Sequence, residues 1–329
     1  MLIAFFALLT PMTLAAAPPP IVRGERTDDY PEVVLLRHTT ADGNVAFICT
    51  GTLITPSVVL TAAHCLSDVS GYNLTDIRVS SGSVWTKDVP ERLASDWKMH
   101  PDYSVSSDGM EIVADLGLVY LDEPYDLQPH ALNASAPTDA DIGTNFRYVG
   151  WGASSDTAGD QGYYKRVADI PLNGFETEFL LGYDGENGSA TCGGDSGAPV
   201  FALNAGEVGA EVGVHSFGRD DDGTICAGSI SGDTRVDLYL DWLLAEVPDV
   251  TVDEGGGDTG TVDTGGQDTG GGEDTDDGAD TGKPGGVGHT EEPAGLCATA
   301  DAGAGAWFVL AAGLAAVTRR RTTRRDSTS

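Results

Sequence analysis

Short runs of branched and aromatic residues recur along the middle of the chain, each closed by Gly, Pro, Asn or Asp. They are Val33–Leu36, Val45–Ile48, Val58–Leu60, Ile77–Val79, Leu116–Leu121, Phe146–Val149, Pro199–Leu203 and Val208–Val214. Runs of this length and punctuation predict strands, and many of them in series predict an antiparallel barrel or sandwich. Helical spacing of apolar residues is convincing once, from Val236 to Leu244. The pattern is that of an all-β domain closed by one C-terminal helix.

The ends of the chain depart from this pattern. Residues 1–17 hold an apolar stretch (Leu2–Leu9) followed by Ala15-Ala16-Ala17, the small-residue pattern of a signal peptide, and Pro18-Pro19-Pro20 forms a short pro-segment before the domain at 21–247. Residues 248–295 repeat Asp, Thr and Gly with almost nothing to bury, and predict a disordered linker. Residues 296–329 contain Cys297, an apolar stretch over 302–317 and five arginines, predicting a short apolar helix that places the protein at a membrane or cell surface. A lone Cys, a weak helix and a basic end resemble the C-terminal sorting signals of myxobacterial surface proteins. That resemblance implies that Cys297 is the processing and attachment point; an ordinary tail anchor is the alternative.

Charge and cysteines narrow the function. Residues 21–247 carry 36 acidic against 12 basic side chains, within a whole-chain charge of −33. Such a domain repels phosphate backbones, which excludes nucleic acid as a partner. Export implies an oxidising compartment, where Cys49, Cys65, Cys192 and Cys226 pair, and four cysteines allow three pairings. His64, His100, His130 and His215 lack His-x3-His spacing around an acid, and the cysteines lack paired Cys-x2-Cys ligand spacing, so neither metal nor cofactor is expected.

Three segments carry chemistry. Leu60-Thr61-Ala62-Ala63-His64-Cys65 ends a strand in small residues and presents a histidine. Ala114-Asp115-Leu116 opens an apolar strand with an acid whose burial requires hydrogen-bond donors, and an imidazole N–H would serve. In Thr191-Cys192-Gly193-Gly194-Asp195-Ser196-Gly197-Ala198-Pro199, glycines flank an Asp-Ser pair and let successive N–H groups face one point. A serine hydroxyl becomes a competent nucleophile only when a base removes its proton.

Together these segments resemble the active-site motifs of trypsin-like serine proteases, in that family's His, Asp, Ser order. Lesser matches are Ile21-Val22-Arg23-Gly24, Cys49-Thr50-Gly51-Thr52, Gly150-Trp151-Gly152 and Ser216-Phe217-Gly218. The resemblance implies a double six-stranded antiparallel β-barrel with a C-terminal helix, the disulfides Cys49–Cys65 and Cys192–Cys226, and a triad of His64, Asp115 and Ser196. It implies an oxyanion hole made by the N–H groups of Gly194 and Ser196, and an ion pair between Asp195 and a freed Ile21 amine. Pro20, rather than Lys or Arg, precedes Ile21, so release of that amine requires a different processing step.

The same resemblance places Ala190, Thr191, His215, Ser216, Phe217 and Gly218 around the substrate pocket. Ala190 stands where a Lys/Arg-specific enzyme has Asp. Thr191 and His215 resemble the pocket of glutamyl endopeptidases and imply cleavage after acidic residues, preferably Glu, since a hydroxyl and an imidazole N–H both donate to a carboxylate. The expected protein is a monomeric serine endopeptidase acting on proteins or peptides, exported and either secreted or held at the cell envelope. The alternative is a protease-like surface adhesin without catalysis.

Overall fold

The structure, a computed structural model, describes residues 21–67, 74–107, 111–154, 162–183, 188–219, 226 and 229–255. The signal peptide, the linker beyond Gly255, Cys297 and the apolar C-terminal segment lie outside the described residues, and among those described no helix is long and apolar enough to cross a membrane.

Six strands form a first closed barrel: β1 (Val33–Thr40), β2 (Val45–Thr55), β3 (Val58–Thr61), β4 (Leu74–Ser80), β5 (Arg92–Met99) and β6 (Gly117–Leu121). Around the ring the order is β1-β2-β3-β6-β5-β4, with every pair antiparallel. Six more form a second: β7 (Asn145–Gly150), β8 (Arg166–Phe175), β9 (Phe179–Gly182), β10 (Pro199–Asn204), β11 (Glu207–Arg219) and β12 (Ile230–Arg235). Their antiparallel pairings run β10-β7-β8-β9-β12-β11, and β11 returns to β10 to close the ring.

Each barrel buries the inward face of its strands. Val34, Leu36, Leu53, Val59, Val79 and Val119 fill the first; Tyr148, Ile170, Leu172, Leu180 and Val200 fill the second. Each fully buried aliphatic side chain contributes about 1.5–3 kcal/mol. Closure also removes exposed strand edges, which would otherwise offer unpaired N–H and C=O groups.

The described strands follow the apolar runs with longer ends, and the helix is a 3-10 turn (Asp237–Tyr239) continuing into α1 (Leu240–Glu246). Folded chain does not stop at the expected boundary of 247. Val250 is buried, and Val252–Asp253 pair in parallel with Leu132–Asn133, on the segment between the barrels. Val250 and Val252 supply the apolar contacts that the Gly/Asp/Thr repeat itself lacks.

Candidate active site

His64 owes its position to the end of β3. Thr61 closes the strand with its hydroxyl on the Thr50 carbonyl at 2.8 Å, and Ala63–Cys65 form a 3-10 turn. A disulfide joins Cys65 to Cys49 on β2. Closing the loop of 16 residues between them contributes about 3 kcal/mol in the chain-entropy account.

Asp115 sits just ahead of β6 and is 1% exposed. Its carboxylate is well supplied with donors: Oδ1 accepts the His64 main-chain N–H at 2.8 Å, and Oδ2 lies 2.7 Å from His64 Nδ1. The Ser216 hydroxyl donates to the same Oδ2 at 2.5 Å. With Nδ1–H committed to Asp115, Nε2 is the atom of the imidazole left to accept a proton.

Burial acts on both partners against their charged forms, and the pairing reverses it. For His64, burial lowers the pKa, but the charge of Asp115 and its hydrogen bond outweigh that and raise the pKa above the ordinary value. For Asp115, burial pushes the pKa up, but the His64 charge and the donated hydrogen bonds hold it below the ordinary carboxylate value.

The Ser196 loop is pinned from three directions. The Thr50 N–H donates to the Ser196 carbonyl at 2.8 Å, and the Thr50 hydroxyl donates to the Gly194 carbonyl at 2.9 Å. The Gly197 N–H donates to the His215 carbonyl at 2.7 Å, and a disulfide ties Cys192 to Cys226. Gly197 has φ +80°, and a Cβ there would lie 2.1 Å from Thr61 Oγ1 and 2.3 Å from the Thr50 carbonyl, so only glycine fits. Gly194 also lies in the left-handed region, at φ +98°.

Asp195, Gly197 and Ala198 all spend their N–H groups on main-chain carbonyls, whereas those of Gly194 and Ser196 meet no acceptor among the described residues. That pattern leaves two amides available to an incoming oxyanion.

His64, Asp115 and Ser216 are thus in direct contact. Ser196 lies beside them, its carbonyl 3.7 Å from the Cys65 sulfur, although its hydroxyl makes no hydrogen bond to His64. Hydrogen bonds between a nucleophile and its base are often long or misaligned until substrate binds. Ser216, expected on the pocket wall, instead turns its hydroxyl onto Asp115.

Asp195 is fully buried, its two oxygens accepting from Gly152 N–H at 2.7 Å and Cys192 N–H at 2.9 Å. Burial pushes its pKa up to about 6 despite those donors. Ile21 is buried in the second-barrel core beside Tyr148 and Ile170, and Val22 bridges to Ala190.

Of the expected pocket residues, Ala190 and Thr191 are buried, and the Thr191 hydroxyl has no partner among the described residues. His215 is 3% exposed, with Nδ1 2.8 Å from Asp233 Oδ1. Asp233 is fully buried and also accepts from Ser231 at 2.7 Å and from Tyr148 at 2.6 Å. Phe217 packs edge-on against Phe179, and Gly218 is exposed on the same strand. Asp233, Ser231 and Tyr148 carry no sequence signal of this role, because their convergence depends on strand register alone.

A family model named Trypsin matches residues 21–243. The chain belongs to the trypsin family. Phenoloxidase-activating factor 3 of Holotrichia diomphalia is 30% identical over 264 residues, covering 69% of this chain and 72% of that protein. Trypsin of Saccharopolyspora erythraea is 29% identical over 243 residues, covering 69% of this chain and 98% of that protein. Brachyurin of Leptuca pugilator is 30% identical over 210 residues, covering 60% and 86%. As a trypsin-family serine endopeptidase, the protein hydrolyses peptide bonds in protein or peptide substrates.

Proposed function

We propose that Ser196 is the nucleophile of this endopeptidase, His64 its general base and then general acid, and Asp115 the group that fixes the tautomer of His64 and stabilises its imidazolium. Ser196 Oγ bonds to the scissile carbonyl carbon while its proton passes to His64 Nε2. The N–H groups of Gly194 and Ser196 bind the oxyanion, each worth on the order of 3 kcal/mol. Collapse expels the amine, which takes the proton from His64; water, deprotonated by the same ring, then releases the acyl group from Ser196.

The observation that carries this reading is the His64–Asp115 contact at 2.7 Å, set next to a Ser196 loop held by Thr50. Replacing His64 or Ser196 with Ala should lower kcat on a peptide substrate by 10⁴- to 10⁶-fold, on the order seen when a triad member is removed. Loss of less than tenfold in both variants defeats the assignment.

The pocket reading favours an acidic residue before the cut. Lys and Arg find no free carboxylate, because Asp233 already accepts from His215, Ser231 and Tyr148. A carboxylate finds the unpartnered Thr191 hydroxyl and the His215 ring, whose charge when protonated is balanced by Asp233. Peptides differing only at the residue before the cut test this. Faster cleavage after Leu or Ala than after Glu defeats it.

Activation in this reading needs a free amine at Ile21 to pair with Asp195, which the buried positions of both residues support. Two disulfides and the residue 1–17 leader support export. Attachment through Cys297 remains the expectation for the tail.

A further inference from the structure

We propose that Glu178, on the second barrel, is a positioning residue that holds the Ala114–Asp115 segment of the first barrel in place beneath His64. The proposal rests on the triad reading above.

Ala114 is fully buried and has φ +50°, a conformation that a residue with a Cβ adopts only when its surroundings enforce it. Its carbonyl accepts the Leu116 N–H at 2.8 Å, forming a tight turn centred on Asp115. The Ala114 N–H reaches across to Glu178 Oε2 at 3.3 Å. That oxygen also accepts a short hydrogen bond from the Tyr239 hydroxyl, in the turn before α1.

Glu178 is itself held. Its carbonyl accepts the Arg235 N–H at 3.0 Å. The Arg235 guanidinium reaches the carbonyls of Glu176 and Thr177 at 3.4 and 3.2 Å, and is fixed in turn by the Asp237 carboxylate at 3.0 and 2.6 Å. On the far side of Asp115, the Leu116 carbonyl accepts the His100 N–H at 2.8 Å, and the His100 ring packs edge-on against Tyr239 at 4.9 Å.

The main chain is therefore bound immediately before and after Asp115, and one of the two restraints crosses between barrels. A carboxylate acceptor makes a stronger hydrogen bond than a neutral oxygen, which suits a strained amide. Release of the Ala114 N–H lets the turn relax and tilts the Asp115 carboxylate away from His64 Nδ1.

The test compares Glu178→Ala, Glu178→Gln and Tyr239→Phe in the full-length protein. Glutamine keeps an acceptor for the Ala114 N–H. Glu178→Ala should lower kcat about tenfold with KM within twofold, and should move the acidic limb of kcat/KM to lower pH as His64 loses part of its pairing. Glu178→Gln should stay within twofold of wild type. Tyr239→Phe should shift both quantities in the same direction by a smaller factor, and serves if Glu178→Ala does not fold. The His64 Nδ1–H proton resonance, read without substrate, should move or broaden in Glu178→Ala. An unmoved resonance and limb, or equal losses from Ala and Gln, overturns the proposal. Failure of the triad reading looks different: the wild type itself is then inactive and takes no serine-directed label.

Discussion

The Ser216 hydroxyl donates to Asp115 Oδ2 at 2.5 Å, on the oxygen that also faces His64 Nδ1. A residue from the second barrel thus shares the carboxylate that orients the histidine of the first. Ser216→Ala removes this donor and concentrates negative charge toward His64. The acidic limb of kcat/KM should move to higher pH, with kcat reduced several-fold, as loss of one charge-assisted hydrogen bond of about 1.5–3 kcal/mol predicts when only part of it is specific to the transition state. A pH–rate profile of the variant against wild type checks both.

Asp115 raises the pKa of His64, so activity should rise with pH through a value above 6.5, the ordinary one. Asp115→Asn presents a neutral amide and permits the wrong tautomer. It should lower kcat on the order of 10⁴-fold, the size of effect this substitution has in serine proteases of this family. Steady-state kinetics across pH measures the loss.

Asp195 makes stability depend on N-terminal processing. While residue 20 remains attached, the folded pKa stands at about 6, above the unfolded value of 3.8. The group's contribution is then fully present below pH 3.8 and is lost as pH rises through 6. A freed Ile21 amine supplies the missing cation and should reverse that slope. Melting temperature against pH, measured on the unprocessed and Ile21-terminated proteins with Asp195→Asn as control, shows whether it does.

Glu211 is fully buried, and no cation lies near its carboxylate among the described residues to balance a charge. Burial holds its pKa well above the ordinary value against the Thr52 hydroxyl, which favours the charged form, and the charge of Glu32 adds to the effect of burial. Raised in the folded state, its contribution is present below the unfolded pKa and lost as pH climbs toward the folded one. Glu211→Leu should stabilise the protein by about 1–3 kcal/mol at pH 8 and by less at pH 5. Denaturant unfolding at the two pH values measures the difference.

Motif and period carried much of this architecture. Eight apolar runs coincide with barrel strands because one face of each enters a core. The other four barrel strands escaped for physical reasons. In β5, Trp97, Lys98 and Met99 are all exposed, so no apolar face marks it. In β12, Ser231, Asp233 and Thr234 are buried polar residues, and Asp233 finds Tyr148 and His215 on other strands. β8 alternates as a strand should, but Arg166 occupies an inward position and Pro171 interrupts the run. β9 spans only Phe179–Gly182.

The site divides along the same line. His64, Asp115 and Ser196 stand in local motifs, whereas Thr50, Glu178 and Asp233 act through partners 64 to 144 residues away, and Asp233 also through the strand register that sets His215 beside it. Nothing in Glu176-Thr177-Glu178 distinguishes a solvated acidic turn from one reaching the other barrel.

Reaction with a serine-directed fluorophosphonate, followed by intact mass and peptide mapping, tests the central assignment most directly. The account predicts a single adduct on Ser196, absent from Ser196→Ala and slowed at least a thousandfold in His64→Ala, in line with the loss of its base. No adduct on the Ile21-terminated protein, or an adduct on another residue at equal rate in all three proteins, contradicts it.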